Sequence, residues 1–276
     1  MSIAYLPDLR LHYREDGPKS GPAVVFAHAL GLDLTLWDAV LPLLPPGLRL
    51  IRYDLRGHGG SDVPTPPYAM GALVRDAERL LDHLAVKDCV FVGLSLGGLV
   101  AQGLAVKRLD LVRAMVLSNT APRIGIATQW QDRIAAVAAQ GMEAVAQPTM
   151  ERWFSRRFRA EGHDAAWRDR LLACPPAGYM GCCAAIAGAD FYTPTASLTL
   201  PTLVIAGSED GSTPPDLVRE TAELIPGHRF QLLRRAGHLP MLQLRHVVLQ
   251  PLQHCIVHLT TAGGPYAHPV LAVHSR

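Results

Sequence analysis

Short apolar stretches alternate with amphipathic ones over the first half of the chain. Ala23–Ala27 is continuously apolar, Leu48–Asp54 is predicted as the next strand, and a third apolar stretch begins at Cys89. From Met70 to Leu84, apolar residues recur at intervals of three and four, which predicts a helix with one buried face. Apolar strands separated by helices predict an α/β fold with a mostly parallel sheet flanked by helices.

The alternation is interrupted after Thr120 and resumes near Leu200. Between 122 and 197 the pattern predicts only helices, and this stretch carries three of the four tryptophans. We therefore expect an α/β core formed by 1–121 and 198–276, with 122–197 inserted as a helical lid. The remaining predicted strands are Leu9–Tyr13, Arg113–Leu117, Leu200–Gly207 and Phe230–Leu233, and the remaining predicted helices are Leu36–Leu44, Leu96–Lys107 and Pro214–Leu224.

Composition narrows the classes of function. The chain has 276 residues, of which 49% are hydrophobic, so it can bury a large core. The net charge of +2 gives no electrostatic case for a nucleic-acid partner, and no apolar run approaches the ~20 residues of a membrane span. We see no secretory signal at the start of the chain. The five cysteines lack paired metal-ligand spacing, so we expect reduced thiols, no metal site and a cytoplasmic protein.

One motif combines a strand, a tight turn and a helix. The apolar strand from Cys89 runs into Gly93-Leu94-Ser95-Leu96-Gly97, and Leu96–Lys107 follows as a helix. A Gly-x-Ser-x-Gly turn in this context is typical of a nucleophile elbow, which holds its serine exposed and strained. The flanking glycines avoid collisions with the neighbouring strand and helix. Ser95 is therefore the candidate nucleophile.

A serine nucleophile needs a base, and the base needs an acid to orient it. In elbow enzymes the chain order is serine, then acid, then histidine. Glu209 and Asp210 both follow the predicted strand that ends at Gly207, and His238 follows the last predicted strand. His28 and His58 precede Ser95, and we interpret both as loop histidines that bond to local backbone.

Attack on a carbonyl creates an oxyanion that two fixed donors must stabilise. The first predicted donor is the amide of Leu96, the residue after the nucleophile. The second should come from the loop after an early strand, here Ala29-Leu30-Gly31, and we assign it to the Leu30 amide.

With these residues in place, the chain resembles the α/β-hydrolase superfamily and, more narrowly, the 3-oxoadipate enol-lactonases. The narrower resemblance is carried by Asn119–Gly125, the pair Trp153-Phe154, and Gly178-Tyr179 followed by 182–186. It implies an α/β-hydrolase fold with a helical lid and selects Asp210 as the acid. It further implies hydrolysis of a small-molecule lactone that bears a carboxylate, without metal or organic cofactor.

The implied substrate requires a cation and a closed pocket. Arg123, at the junction of core and lid, is our candidate for binding the carboxylate. Trp130 and Trp153 are candidates for the pocket wall, with packing of lid on core as the alternative for both. The lid offers four further arginines for the carboxylate: Arg133, Arg152, Arg156 and Arg157.

The resemblance ends near Pro240. Residues 241–276 contain no Asp or Glu and hold five of the twelve histidines, which does not match the amphipathic helix that the family carries there. We predict that residues beyond about Thr260 make few core contacts.

Three other functions fit the same core. A general carboxylesterase or a cofactor-free perhydrolase would use the same serine, acid and histidine. A ligand-binding receptor on this fold would bind a small molecule with little turnover, because a fold alone does not determine function.

Overall fold

The predicted alternation of strands and helices forms one eight-stranded sheet in the computed structural model, which describes residues 2–243. The strands are β1 Ser2–Leu6, β2 Leu9–Asp16, β3 Ala23–Ala27, β4 Arg49–Tyr53, β5 Cys89–Leu94, β6 Val112–Ser118, β7 Thr202–Gly207 and β8 Arg229–Leu233. The helices are α1 Met70–His83, α2 Leu96–Lys107, α3 Ala127–Gln140, α4 Glu143–Trp153, α5 Arg156–Ala160, α6 Ala165–Leu172, α7 Pro176–Ala187, α8 Tyr192–Ala196, α9 Pro215–Glu223 and α10 Pro240–Gln243.

The strand order is β1-β2-β4-β3-β5-β6-β7-β8. The pairs β1–β2 and β2–β4 are antiparallel, and every other neighbouring pair is parallel. All residues of β3, β5 and β7 are buried, as expected for parallel strands covered on both faces. The carboxyl ends of β5, β6, β7 and β8 therefore meet at one edge of the sheet, where open α/β sheets bind ligands.

Helix α2 differs from a surface helix because it has almost no polar face. Every residue from Leu96 to Ala105 is buried, and the helix contacts α1, β5 and α8. Helix α1 instead buries one stripe and exposes the other face, as its spacing predicts. The bounds predicted for α2 are confirmed, and those for α1 are correct to within one residue.

Six helices, α3 to α8, lie between β6 and β7 and form the predicted helical insertion. Helix α3 packs against α7. Helix α7 meets the core where Gly178 approaches Gly57, since a Cβ on Gly178 would lie 1.9 Å from the Gly57 carbonyl oxygen. The insertion is therefore packed directly on the core, while the unit bounds 1–121, 122–197 and 198–276 stay a prediction.

One predicted helix is wrong, and one strand was not predicted. The helix predicted over Leu36–Leu44 is replaced by two 3-10 helices, Leu34–Trp37 and Leu41–Leu43. Pro42 lies within the second of these, and a proline inside an α-helix would remove a hydrogen bond and clash with the preceding turn. Strand β1 was not predicted, because its antiparallel pairing with β2 is a tertiary contact.

Residues 244–276 are outside the described part of the chain, so the prediction for the residues beyond Thr260 concerns residues that are not described. Among residues 2–243, no helix is long and apolar enough to cross a bilayer.

Candidate active site

Ser95 lies at a sharp turn between β5 and α2. Its backbone has φ 55° and ψ −114°, a conformation that residues other than glycine rarely adopt. A Cβ on Gly93 would lie 2.3 Å from the Gly97 carbonyl oxygen, and a Cβ on Gly97 would lie 2.2 Å from the Ala27 carbonyl oxygen. Both glycines are therefore required by close approach, and the strained turn expected of a nucleophile elbow is confirmed.

The strained turn is held by the neighbouring strand. The Ser95 amide donates to the Ser118 carbonyl at 3.0 Å, and the Thr120 hydroxyl donates to the Ser95 carbonyl at 2.7 Å. These bonds satisfy both backbone groups of Ser95, which is 8% exposed. They fix the turn in a conformation that would otherwise relax.

Asp210 and His238 meet at the ends of β7 and β8. His238 Nδ1 lies 2.8 Å from Asp210 Oδ2, and both side chains are almost fully buried. A carboxylate accepts only, so Nδ1 carries a proton and Nε2 is free to act as a base. The structure thus brings the predicted acid and base together in the arrangement that a serine nucleophile needs.

Five hydrogen bonds converge on the Asp210 carboxylate. Its Oδ1 accepts from the amides of Ser212 and Thr213, and its Oδ2 accepts from His238 Nδ1, Asn119 Nδ2 and Thr213 Oγ1. Burial alone would raise the pKa of Asp210, but the neighbouring His238 and these hydrogen bonds lower the pKa below its ordinary value. Asp210 is therefore ionised at neutral pH.

Glu209 does not compete for this position in the structure. Its carboxylate accepts from the Arg156 amide at 3.3 Å, so it contacts the start of α5 rather than His238. The geometry favours Asp210 over Glu209, as the resemblance implies.

The two earlier histidines bond to backbone, as interpreted from the sequence. His28 Nε2 accepts from the Leu55 amide at 2.9 Å, and its Nδ1 donates to the Ala29 carbonyl at 2.8 Å. His58 Nε2 accepts from the Gly31 amide at 2.9 Å and thereby anchors the loop that contains Leu30. Both rings are completely buried, so neither has the free nitrogen of a base.

The burial of His58 predicts a pH-dependent stability. Burial first, and then the neighbouring His28, lower the pKa of His58 to about 3. The unfolded chain takes up a proton near pH ~6.5, so between ~6.5 and about 3 it binds more protons than the native state. The free energy of unfolding therefore falls as the pH is lowered through this window, by up to about 1.4 kcal/mol per pH unit from His58.

Urea unfolding at about pH 7 and about pH 5 checks this dependence in the unmutated chain and in His58→Gln. The difference in unfolding free energy between the two pH values should shrink by about 2 kcal/mol in the variant. An unchanged difference would mean that His58 takes up its proton over the same pH range in the native state as in the unfolded chain.

A cavity of about 350 Å³ opens beside these groups. Its lining includes Leu30, Ser95, Trp130, Trp153 and His238, which are five of the site residues predicted from the sequence. The cavity thus brings the candidate nucleophile, base, oxyanion loop and pocket wall to one place.

The candidate oxyanion donors are the amides of Leu96, next to Ser95 in the chain, and of Leu30, which lines the same cavity as Ser95. The Leu96 amide is the first of α2, and Leu30 follows β3 in the loop at the cavity. Among residues 2–243, the structure gives neither amide an acceptor. Both are therefore available to a developing oxyanion, and the N-terminus of α2 adds its positive dipole end.

Three predicted site residues do not line the cavity: Asp210 and Leu96 adjoin lining residues, whereas Arg123 lies away from the other site residues. The Arg123 side chain is 49% exposed, and its Nη1 lies 3.9 Å from Asp190 Oδ2 on the segment before α8. It precedes α3 at the root of the insertion, where its side chain turns outward. Arg156 and Arg157 are also exposed, whereas Arg133 and Arg152, which had been alternatives, line the cavity.

Arg133 and Arg152 are partly buried cations. The Arg133 guanidinium stacks on the Trp130 ring at 4.7 Å, and Arg152 Nη2 donates to the Thr149 hydroxyl at 3.1 Å. Within residues 2–243, neither has a carboxylate at ion-pair distance. Burial, followed by repulsion from Arg133, lowers the pKa of Arg152. An anion in the cavity would relieve both effects.

Sequence reasoning missed several polar contacts of the site. Thr213 donates to Asp210, and Tyr179 lies in the cavity wall with its hydroxyl beside Arg133. Asn119 was assigned no role in the site from the sequence, yet its side-chain amide donates to Asp210. The sequence signal available for Thr213 was its position three residues after Asp210.

No group of three or more metal-ligating side chains lies within the described range.

Comparison with known proteins agrees with this geometry. Residues 22–243 match the family model described as alpha/beta hydrolase fold. The chain is 35% identical over 208 residues to 3-oxoadipate enol-lactonase 2 of Acinetobacter baylyi, covering 75% of this chain and 78% of the relative.

Two solved structures are similar in fold along almost the whole chain. The enol-lactonase from Burkholderia xenovorans LB400 has a TM-score of 0.89 at 33% identity, covering 93% of this chain and all of that one. A malate-bound esterase from Thermogutta terrifontis has a TM-score of 0.86 at 27% identity, covering 94% of this chain and 97% of that one. The family match spans most of the chain, which therefore belongs to the α/β-hydrolase fold family.

Proposed function

We propose that this protein is a serine hydrolase of small carboxylate-bearing lactones, with 3-oxoadipate enol-lactone as its substrate. The similarity to enol-lactonases supports the ring ester, and the chemistry of the cavity supports the attached carboxylate. We further propose Ser95 as nucleophile, His238 as base, Asp210 as the orienting acid, and the Leu30 and Leu96 amides as oxyanion donors.

The observation that carries the proposal is the pair of arginines in the cavity wall. Arg133 and Arg152 line the same cavity as Ser95 and His238, and no carboxylate of the described residues pairs with them. A partly buried cation without a carboxylate partner lowers the stability of the fold. A cavity that binds uncharged esters would have no use for two such cations. A substrate carboxylate supplies the missing partner, and a guanidinium can bind it through two parallel hydrogen bonds.

In the first half of the reaction, His238 Nε2 takes the proton of the Ser95 hydroxyl as its oxygen attacks the ring carbonyl. The resulting oxyanion accepts hydrogen bonds from the Leu30 and Leu96 amides. The ring C–O bond then breaks, the leaving enolate takes the proton from His238, and an acyl-enzyme remains on Ser95.

In the second half, a water molecule attacks the acyl-enzyme, whose acyl chain still carries the enol released by ring opening. His238 removes a proton from the water, whose oxygen attacks the acyl carbonyl and forms a second oxyanion. Collapse of this intermediate breaks the bond to Ser95, which recovers the proton from His238. The immediate product is the ring-opened enol with a new carboxylic acid group. The enol isomerises to the ketone, and the acid loses its proton to solvent, which gives the open-chain dicarboxylate.

The end of α4 connects the proposed carboxylate site to the acid and base. The Arg152 carbonyl accepts from the Gly211 amide at 3.0 Å, and the Trp153 carbonyl accepts from the His238 amide at 2.8 Å. The last carbonyls of a helix lack donors within the helix, so these bonds satisfy groups that need donors elsewhere. The segment that carries the Arg152 cation therefore also holds the two loops that carry Asp210 and His238.

Replacing Arg152 with methionine is expected to remove most of the preference for carboxylated lactones. Methionine keeps much of the side-chain volume and removes the charge. The ratio of kcat/KM for the enol-lactone to that for p-nitrophenyl acetate should fall by about 30-fold or more, chiefly through the lactone value. Steady-state kinetics on both substrates measures this ratio.

Arg123→Met is the matched control, because Arg123 lies in the same insertion but outside the cavity. It should leave the ratio within about threefold of the unmutated protein. Equal effects of the two substitutions would contradict the proposed carboxylate site. Arg133→Met, measured alongside, tests the second cation and should lower the ratio in the same direction as Arg152→Met.

A further inference from the structure

The tip of β6 takes no part in the reaction as described above, although it lies between the strands that carry the proposed nucleophile and acid. β6 pairs with β5 on one side and with β7 on the other. Its last residue, Ser118, is followed by Asn119 and Thr120, and all three are buried. We call these three residues the β6 tip.

Two residues of the β6 tip hold the backbone of Ser95. The Ser118 carbonyl accepts from the Ser95 amide, and the Thr120 hydroxyl donates to the Ser95 carbonyl. Asn119 lies between them in sequence, and its backbone amide donates to the Ile205 carbonyl of β7 at 2.8 Å. Consecutive residues thus contact the nucleophile strand and the acid strand.

The Asn119 side chain extends this contact to both remaining loops. Its Nδ2 donates to Asp210 Oδ2 at 2.9 Å and to the Gly237 carbonyl at 3.3 Å, one residue before His238. Its Oδ1 accepts from the Ser118 hydroxyl at 2.9 Å. Both neighbours of Nδ2 are acceptors, which fixes the orientation of the amide group.

The backbone of Asn119 is also unusual. Its φ is 48°, in the left-handed region where asparagine is tolerated better than most side chains. This conformation directs the amide group toward Asp210 and Gly237 while the chain turns from β6 into the insertion. Strain of this kind is found where surrounding contacts hold it in place.

Asn119 is not needed to keep Asp210 ionised. Four other hydrogen bonds reach the same carboxylate, from the amides of Ser212 and Thr213, the Thr213 hydroxyl and His238. Those donors lie in the loop after β7 that carries Asp210, here called the acid loop, and in the loop after β8 that carries His238, here called the histidine loop. Asn119 alone among these donors belongs to the β6 tip, which holds Ser95.

We propose that Asn119 is a positioning residue that sets the Asp210–His238 pair at the correct distance from Ser95. The inference rests on the proposed roles of Ser95, His238 and Asp210. The Asn119 side chain bridges the acid loop and the histidine loop, and the two neighbours of Asn119 in sequence bond to the nucleophile turn. Loss of the bridge lets the base shift relative to the Ser95 hydroxyl, and a shift of about 1 Å can cost about 100-fold in rate.

The first test is Asn119→Gly, which removes the bridge and relieves the backbone strain. We expect kcat to fall by about 30-fold to 100-fold, with KM within about threefold, because substrate contacts are unchanged. Thermal melting confirms that the variant folds. A kcat within about threefold of the unmutated enzyme in a folded variant would overturn the proposal.

Asn119→Asp is the second test, and it decides the matter if the glycine variant does not fold. Two carboxyls in contact share one proton, so the aspartic acid form still donates to Asp210 at low pH. At higher pH that proton is lost, and like charges push the acid loop away. The ratio of unmutated to variant kcat should rise by at least about tenfold from about pH 6 to about pH 9.

Other ionisable groups near Asp210 do not produce this pattern by themselves. His238 faces Asp210 and is present in both proteins, so it enters both terms of the ratio. Glu209 contacts the Arg156 amide, and Arg152 approaches the acid loop through its carbonyl and lines the cavity with its side chain. A ratio that is constant with pH would therefore assign Asn119 a merely structural role and overturn the proposal.

The outcome is separable from that of the proposed function. If Ser95→Ala is inactive while both Asn119 variants behave like the unmutated enzyme at every pH, only the positioning role fails. If Ser95→Ala keeps full activity, the proposed nucleophile fails, and the positioning role fails with it.

Discussion

Replacing Ser95 with alanine is expected to lower kcat by about 10³–10⁶-fold and to leave the fold intact. Ser95 is the residue at the strained turn between β5 and α2, and it lines the cavity with His238. The substitution removes one oxygen atom and keeps every backbone hydrogen bond of the turn. The loss would therefore be chemical, and circular dichroism and thermal melting should match those of the unmutated protein.

Covalent labelling checks the same residue independently of any substrate. A fluorophosphonate probe should modify Ser95 and fail to modify the Ser95→Ala variant. Ser212 offers a matched control, because it is the second serine that residues 2–243 contribute to the cavity wall. Labelling that persists in Ser95→Ala and disappears in Ser212→Ala would show that the nucleophile has been misassigned.

Asp210→Asn should lower kcat by about 10⁴-fold with little change in size or packing. Asp210 accepts a hydrogen bond from His238 Nδ1, which keeps the ring proton on Nδ1 and leaves Nε2 free as the base. An asparagine amide can donate to Nδ1 instead, which moves the ring proton to Nε2 and blocks proton transfer from Ser95. Steady-state kinetics at saturating substrate measures the loss.

Glu209→Gln is the control for this assignment, since it changes the adjacent carboxylate in the same way. Its side chain contacts the Arg156 amide at the start of α5, so kcat should stay within about threefold. The opposite pattern, with Glu209→Gln inactive and Asp210→Asn active, would make Glu209 the acid.

The sequence was most informative where local chemistry alone determines the structure. The elbow could be predicted because its strand, its Gly-x-Ser-x-Gly turn and its helix follow one another in a single stretch of the chain. Strand β3 was predicted with its correct bounds because it is short, continuously apolar and bounded by turn residues. Helix α1 was predicted from the spacing of its apolar residues.

The same reasoning failed where a contact is distant in sequence. Strand β1 becomes a strand by pairing with β2, and its own pattern is weak. Arg123 lies at the root of the insertion in sequence, but its side chain turns toward Asp190. Which arginine of a helical insertion faces the cavity depends on how α3 and α4 pack, and no periodicity in this stretch reveals that packing.

Asn119 illustrates an intermediate case. The sequence placed it at the end of a strand, at the edge of the sheet where ligands bind, and within a motif of the resemblance. Its contact with Asp210 spans 91 positions of the chain, so only the structure could identify the partner. Polar residues directly after a parallel strand are therefore worth testing as neighbours of the site even when no role is assigned to them.

The central claim is that the cavity serves a ring ester that carries a carboxylate. The most direct measurement compares kcat/KM of the unmutated protein for 3-oxoadipate enol-lactone with that for the same unsaturated lactone ring without the carboxylate. We predict a preference of at least about 100-fold for the carboxylated ring, which corresponds to about 3 kcal/mol. Comparable values would contradict the claim and favour a general carboxylesterase, and binding of both lactones without turnover would favour a receptor.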